Sequence, residues 1–172
     1  MAHKEQWVFG GKVKGLHPTY FKDKKVLDIG SFDVNGNEEF LFKNCDFIGL
    51  DLEEGDGVDV ACPAQEYDAP DETFDTIISC ECWEHNPYYK ESIQNAIRML
   101  KSGGLFMFTC ATTGREVHGV SYLEKSCSEQ YDNWKTLPNV TKENWDNDYY
   151  KNITEEHIRE SIDVDEVFSS YE

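Results

Sequence analysis

Five short apolar runs, separated by polar or amphipathic stretches, limit what this chain can fold into. The runs are Lys25–Gly30, Asp46–Asp51, Gly57–Val60, Phe74–Ser79 and Gly104–Cys110. Nearly continuous apolar runs of this length are typical of parallel strands covered by helices on both faces. The pattern predicts an α/β fold, with a mainly parallel sheet and helices on both faces.

Two helices are predicted from their capping residues. Asn86 is a good N-cap, and Pro87 is tolerated at the first helical position. The apolar residues that follow recur at helical spacing on one face: Ile93, Ala96, Ile97 and Leu100. Gly103 and Gly104 then predict the end of this helix. A second helix is predicted to begin after Thr154, which is another favourable N-cap.

A length of 172 residues suits one domain over 1–172. Residues 111–153 include a connection too long for a simple loop, and they are predicted to form an insertion or lid. Its aromatic residues are Tyr122, Tyr131, Trp134, Trp145, Tyr149 and Tyr150. These side chains either close over a substrate or pack the insertion onto the sheet, and both interpretations stay open.

Charge and hydropathy exclude several classes of partner. The chain has 34 acidic and 16 basic side chains and a net charge of −18, which repels phosphate backbones, so no nucleic-acid partner is expected. No stretch approaches the roughly 20 apolar residues of a membrane span, so no membrane partner is expected. The first ten residues lack the apolar core of a signal peptide, which together with the thiols described below predicts a cytoplasmic protein. A monomer or homodimer is expected.

The six cysteines favour reduced thiols. Cys80 and Cys110 lie in or just after apolar runs, where intracellular proteins keep buried thiols. Cys80 and Cys82 have a C-x-C spacing, whereas zinc half-sites use C-x-x-C, and no second Cys/His pair accompanies them. The sequence analysis therefore predicts no metal site.

The loop after the first run carries the strongest functional signal. Ligands of open α/β sheets bind at the carboxyl ends of the strands, which places Asp28, Gly30 and Ser31 at the expected crevice. Asp51 ends the second run, 23 residues after Asp28, where a carboxylate can accept both hydrogen bonds of a ribose diol. The alternative is an ordinary turn, in which Asp, Gly and Ser are common.

The chemistry of this loop also favours one class of nucleotide ligand. The dinucleotide fingerprint G-x-G-x-x-G is absent, since only Gly30 and Gly36 occur. Phe32 and Asp33 add bulk and negative charge where a pyrophosphate would need an open loop. A cationic or zwitterionic ligand fits better, which favours S-adenosylmethionine over NAD and disfavours a nicotinamide-dependent oxidoreductase.

The sequence resembles class I S-adenosylmethionine-dependent methyltransferases that modify small molecules. The matching stretches are VLDIGS (26–31), FIGLDL (47–52), AQEY (64–67), DETFDTIISCECWEH (71–85) and MLKSGGLFMFTC (99–110). The resemblance implies an enzyme that transfers a methyl group from S-adenosylmethionine to a small-molecule acceptor. A non-catalytic S-adenosylmethionine-binding or partner module is the alternative.

The resemblance also assigns residues to parts of the cofactor. It implies that Asp28, Gly30 and Ser31 hold the methionine part, that Asp51 binds the ribose, and that Leu52 lies against the adenine.

Two further pairs follow from the same resemblance. Ala64 and Gln65 match the segment that covers the adenine ring, and Cys80 and Glu81 match residues near the sulfonium and the substrate entrance.

The chain departs from the family pattern at three places. Phe32 and Val34 replace the second and third loop glycines, and Pro63 stands where an acid often binds the adenine amino group. The resemblance also implies a Rossmann-like, doubly wound sheet. Residues 165–171 can supply only a sixth strand, so the expectation is either a minimal sheet of about six strands or a sheet that lacks the last strand of the family.

Two histidines are candidate general bases. Methyl transfer needs the acceptor, methyl group and sulfur in line, and an acceptor that loses a proton benefits from a nearby base. His85 and His118 are the candidates, since imidazole titrates near neutral pH. Either residue can instead have no chemical role, with His85 bonded to the backbone and His118 in solvent.

Overall fold

The computed structural model describes residues 4–34, 36–118 and 149–171. The chain divides into two compact units, one formed by Met1–Glu81 and Gln94–Thr109, the other by Cys82–Ile93 and Cys110–Glu172. The single domain over 1–172 stays a prediction. Within the described ranges, no helix has the length and apolar character needed to cross a bilayer, and no disulfide forms.

The first unit contains a parallel sheet of five strands. In chain order they are β1 (Lys25–Ile29), β2 (Asp46–Asp51), β3 (Val60–Ala61), β4 (Phe74–Cys80) and β5 (Leu100–Thr109). Their spatial order is β3-β2-β1-β4-β5, and every pair is parallel. This confirms the predicted α/β class. Because the order reverses between β1 and β4, the carboxyl ends of these two strands form the switch point at which such sheets bind ligands.

The central strands are buried along most of their length. Val26, Leu27 and Ile29 of β1 are buried, as are Ile77 and Ile78 of β4. In β1, Asp28 pairs with Gly49 on one side and with Ile78 on the other. A carboxyl group therefore lies within an otherwise apolar strand, near its carboxyl end.

Strand β5 begins earlier than the sequence predicts. Leu100 pairs with Phe74, and the register then shifts so that Leu105 pairs with Thr76. The intervening residues bulge out of the ladder, and Gly103 takes a positive φ of 74°. Such an excursion explains why the glycines seemed to end the preceding helix, although that helix ends at Met99.

The structure has four α-helices and three short 3₁₀ turns in its described ranges. The helices are α1 (Lys4–Leu16), α2 (Tyr89–Met99), α3 (Glu155–Ser161) and α4 (Val164–Val167), and the 3₁₀ turns are Pro18–Phe21, Glu39–Leu41 and Trp83–His85. Asn86 caps the approach to α2, since its Oδ1 accepts from the N–H of Tyr88 at 2.8 Å. Ile93 and Ala96 are buried as predicted, whereas Met99 takes the place expected for Leu100.

The second unit confirms one predicted element and corrects another. Thr154 caps α3 through a capping box with His157. The sixth strand expected over 165–171 is wrong, because Val164–Val167 is helical and Asp163 caps it by accepting from the N–H of Glu166. A carboxylate at this position favours a helix start over a strand. Residues 119–148, most of the predicted insertion, lie outside the described residues.

Candidate functional site

The loop after β1 is built on the backbone of β2. Gly30 has a φ of 85°, a region that residues with a side chain rarely adopt. The N–H groups of Gly30 and Ser31 both donate to the carbonyl of Leu50, at 2.8 and 3.2 Å. A Cβ at Gly49 would overlap the carbonyl of Gly57 and approach the hydroxyl of Ser31. The loop after β1 and the loop after β2 thus both approach the backbone of β2 closely, and these contacts position the turn at Gly30.

Asp51 links the ends of β1 and β2. Its Oδ2 accepts from the N–H of Phe32 at 3.0 Å, and its Oδ1 accepts from the N–H of Leu52 at 2.7 Å. A carboxylate has about four lone-pair positions, so two backbone donors leave room for two hydroxyl donors. The carboxylate is only partly buried. Asp51 is therefore oriented and still able to bind a diol.

Asp28 and Glu38 form a buried acidic pair beside this loop. Each residue is only 3% exposed. Burial, followed by the nearby charges of Glu38 and Asp51, raises the pKa of Asp28 to about 8. Burial also raises the pKa of Glu38 above its usual range. Buried carboxyl groups that repel each other favour a proton or a cationic ligand between them.

Glu38 is a candidate site residue that the sequence analysis missed. It precedes the 3₁₀ turn Glu39–Leu41, within a polar stretch that reads as a solvated loop. Its neighbour Glu39 is indeed exposed. Only the tertiary packing distinguishes the two residues, and no local sequence signal does so.

Two buried polar atoms of this region have no hydrogen-bond partner among the described residues. They are Oγ of Ser31 and Oε1 of Glu38. Buried polar groups are nearly always satisfied by protein or by a bound group. These atoms are the structural observation that fits a polar ligand at the Gly30 loop.

The segment around Ala64 and Gln65 is held in place by side chains of α2. Nδ2 of Asn95 donates to the carbonyls of Ala64 and Tyr67, at 2.8 and 2.9 Å. Arg98 donates to the carbonyl of Ala69 at 2.8 Å. Ala64 is buried and Gln65 half-buried. Asn95 and Arg98 are positioning residues that the sequence analysis did not single out.

The bulky residues that replace the loop glycines point largely into solvent. Phe32 is 48% and Val34 56% exposed. Phe32 lies against Gly55, where a Cβ would meet its ring. Leu52 is also exposed, as suits a residue expected against a flat ring. The substitutions are thus accommodated at the surface of the loop.

The carboxyl end of β4 places Cys80 beside the acidic pair. Burial, together with the charges of Glu38 and Asp28, raises the pKa of the Cys80 thiol. Glu81 follows with a φ of 52°, and its N–H donates to the carbonyl of Thr109 at 2.9 Å. A left-handed backbone at a residue with a side chain is uncommon and is enriched at functional sites.

The N-terminal helix adds one aromatic residue beside the loop. A Cβ at Gly36 would meet the ring of Trp7 at 2.9 Å, and Trp7 packs edge-on against Phe40. By contrast, Tyr20 bonds to Gly103 and Thr76, toward the amino ends of β4 and β5. Trp7 therefore lies beside the candidate site, whereas Tyr20 does not.

The two histidines lie together within the second unit. The ring centroids of His85 and His118 are 5.1 Å apart, and both rings pack against Tyr150. Nδ1 of His118 is 3.1 Å from the carbonyl of Glu116. The candidate bases therefore form a pair, and the cofactor residues named from the sequence all belong to the first unit.

A family model described as "Methyltransferase domain" matches residues 1–148. The chain belongs to this methyltransferase family. The match confirms the class I methyltransferase resemblance and, with it, the expected cofactor, S-adenosylmethionine. No curated protein sequence gives a significant match.

Solved structures show the same fold at low sequence identity. A Burkholderia thailandensis 1,6-didemethyltoxoflavin-N1-methyltransferase, solved with bound 1,6-didemethyltoxoflavin and S-adenosylhomocysteine, is 17% identical with a TM-score of 0.59, over 94% of this chain and 66% of that one. The [4+2]-cyclase SpnF is 15% identical with a TM-score of 0.60, over 95% of this chain and 59% of that one. At such identities the likeness shows the fold alone, and this methyltransferase chain spans less than two thirds of either protein.

Proposed function

We propose that this chain catalyses methyl transfer from S-adenosylmethionine to a small-molecule acceptor. One observation carries the proposal: the buried pair Asp28 and Glu38 lies beside the Gly30 turn, and Asp51 stands at the end of the adjacent strand. This set of carboxylates matches the ammonium and the ribose diol of the cofactor. The Burkholderia neighbour, whose structure holds a small heterocyclic substrate, supports a small-molecule acceptor.

The residues present fit this cofactor. The α-ammonium of its methionine tail would lie between Asp28 and Glu38 and relieve the repulsion that raises the pKa of Asp28. The ribose hydroxyls would donate to Asp51, whose two backbone donors fix its orientation. Ala64 and Gln65, held by Asn95, would cover the adenine together with Leu52. Charge-assisted hydrogen bonds of this kind are the strong ones.

The protein's part in the reaction is mainly to bind and orient. The bound cofactor supplies the methyl group and a neutral thioether leaving group. Cys80 and Glu81, at the end of β4, are the residues proposed to lie nearest the sulfonium. Holding the reacting atoms in line at near-attack distance supplies much of the acceleration in such displacements.

The proton that a hydroxyl or amine acceptor loses is proposed to pass to His85 or His118. The half-buried imidazoles form a pair, and histidine is the side chain that most often serves as a general base. Most of the insertion predicted over residues 111–153 lies outside the described residues, so both interpretations of its aromatic side chains stay open.

Methyl-labelled S-adenosylmethionine, incubated with the purified chain and a fractionated metabolite extract, tests the proposal. We expect label to appear in one small-molecule fraction, and we expect Asp28→Asn to abolish this transfer. Asp56→Asn is the matched control, because Asp56 is an exposed carboxylate on the loop after β2. This variant should transfer label normally.

The alternative is a module that binds S-adenosylmethionine without using its methyl group. The likeness to SpnF, which is described as a cyclase, supports this alternative, because one fold can host unrelated reactions. Tight binding of the cofactor without transfer to any fraction would establish the module and refute the enzymatic proposal. Absence of binding would refute both.

A further inference from the structure

Three side chains of the second unit, none of them assigned to the cofactor, bring metal-ligating atoms together. One ligand atom from each of Glu84, His85 and His118 lies within 4.8 Å of the other two. Glu84 is 0% exposed, and both histidines are half-buried. A fully buried carboxylate next to two imidazoles is the donor set of a two-histidine, one-carboxylate metal site.

The spacing of these atoms suits a single ion. Ligand nitrogen and oxygen atoms lie about 2.0–2.2 Å from zinc, which separates them from one another by about 3–4 Å. The three ligand atoms, all within 4.8 Å of one another, lie close to that separation.

The hydrogen bond of His118 leaves one ring nitrogen for a metal ion. Its Nδ1 lies 3.1 Å from the carbonyl oxygen of Glu116, which can only accept a hydrogen bond. Nδ1 therefore acts as the donor, and Nε2 is the nitrogen that would bind the ion. Metal-bound histidines are commonly oriented by such a bond from the other ring nitrogen.

The backbone around the cluster is fixed by contacts within the same unit. The N–H of Lys151 donates to the carbonyl of Glu84 at 2.8 Å. The ring of Tyr150 lies 5.5 Å from the ring of His85 and 5.0 Å from that of His118, and its hydroxyl bonds to Asn152 at 2.8 Å. The donor atoms are thus presented by a preorganised frame, which lowers the entropic cost of binding an ion.

We propose that Glu84, His85 and His118 bind one divalent transition-metal ion of the zinc class. Three protein ligands leave the fourth tetrahedral position open for water or substrate, as in catalytic zinc sites. The sequence analysis predicted no metal because it considered cysteine spacing. The second histidine lies 33 residues beyond the first, and only the fold brings them together.

Calorimetric titration of the full chain, freed of metal by a chelator, with zinc chloride tests this site. We expect one ion bound per chain, unchanged affinity in His17→Ala, and at least a tenfold loss in His118→Ala. His17 is exposed and distant in sequence, which makes it the matched control. Magnesium chloride should give no binding at this site, because imidazole donors disfavour magnesium.

Cobalt(II) distinguishes the proposed ligands from thiols. We expect a visible ligand-field spectrum without a thiolate charge-transfer band, and we expect this spectrum to persist in Cys82→Ser. Loss of the site in Cys82→Ser, or a His118→Ala protein that binds zinc like wild type, would overturn the proposal. A circular dichroism spectrum of His118→Ala matching that of the wild type excludes misfolding, and Glu84→Gln provides a second ligand variant with the same expected loss.

The metal proposal shares His85 and His118 with the proposed methyl transfer, but zinc binding and cofactor binding are measured separately. Binding of S-adenosylhomocysteine should be the same with and without zinc, so loss of one activity leaves the other measurable. An imidazole that binds an ion has no lone pair left for a proton. With the ion present, activation of an acceptor oxygen would pass from the histidines to the metal as a Lewis acid.

Discussion

The N–H of Phe32 donates to Oδ2 of Asp51 across 3.0 Å. Phe32, which replaces a family glycine, thus helps to orient the residue proposed to bind the ribose. The bond uses the backbone of Phe32, while its side chain lies largely in solvent. A larger residue in the glycine loop therefore changes the loop surface and keeps the hydrogen bond between the two strand ends.

Replacing Asp51 should weaken binding of the cofactor. We expect Asp51→Ala to reduce the affinity for S-adenosylhomocysteine about 10–100-fold, since a hydrogen bond to a charged group contributes about 1.5–3 kcal/mol. Titration calorimetry measures this, and Asp56→Asn serves as the control. An unchanged affinity would show that the ribose assignment is wrong.

Glu38 should act on the amino-acid end of the cofactor alone. We expect Glu38→Gln to reduce the affinity for S-adenosylhomocysteine about tenfold or more, because it removes the charge proposed to face the ammonium. Binding of 5′-methylthioadenosine, which has no amino-acid tail, should stay within about twofold on the same scale. Glu39→Gln, at the exposed neighbouring acid, should alter neither. Equal losses for both ligands would instead indicate a structural role.

The stability of the cofactor-free protein should fall as the pH rises from about 4 to 8. Asp28 has a native pKa of about 8 and an ordinary value of 3.8, so between these values the native state retains a proton that the unfolded chain has released. A state that holds more protons is destabilised by rising pH, at most by about 1.4 kcal/mol per pH unit for one group. Urea unfolding at several pH values, compared between wild type and Asp28→Asn, isolates this contribution. Parallel curves for the two proteins would contradict it.

Asn95 should stabilise the segment that covers the adenine. Asn95→Ala removes hydrogen bonds to the carbonyls of Ala64 and Tyr67. We expect about 1–3 kcal/mol loss in the free energy of unfolding, the cost of leaving such groups unsatisfied. Urea denaturation measures it, with the exposed Glu91→Gln as a control from the same helix. Stability equal to the control would mean that water replaces these bonds at no cost.

Thr154 should determine the start of α3. Thr154→Ala removes the side chain that accepts from the N–H of His157. We expect about 1 kcal/mol of destabilisation, typical of a lost N-cap. Thr154→Ser keeps the hydroxyl and should retain most of the stability in thermal unfolding. If serine and alanine destabilise equally, the methyl group rather than the cap is responsible.

Much of the sheet was predictable because its signals are local. β2 has the predicted bounds, and β1 and β4 differ by one residue at an end. Runs of this kind are buried on both faces, and burial on both faces is what produces them. The start of β5 was not predictable, since Gly103 and Gly104 serve a bulge within a strand and resemble the end of a helix.

For the candidate site, too, only the residues with a local sequence signal could be predicted. Asp28 and Asp51 could be named from the sequence because they lie near or at the carboxyl end of an apolar run, where strand topology predicts the crevice. Glu38 and the Glu84–His85–His118 cluster were not found, because their burial and proximity arise from contacts between residues distant in sequence. All the cofactor assignments made from the resemblance stay predictions, as do the two histidines named as bases.

The absence of a side chain at Gly49 has a consequence for how this site can change. Any larger residue there would collide with the carbonyl of Gly57 and force the loops after β1 and β2 apart. Gly49 itself belongs to β2, yet a substitution there is expected to disturb the Ser31 and Gly57 segments together, because both lie within 3 Å of its missing Cβ.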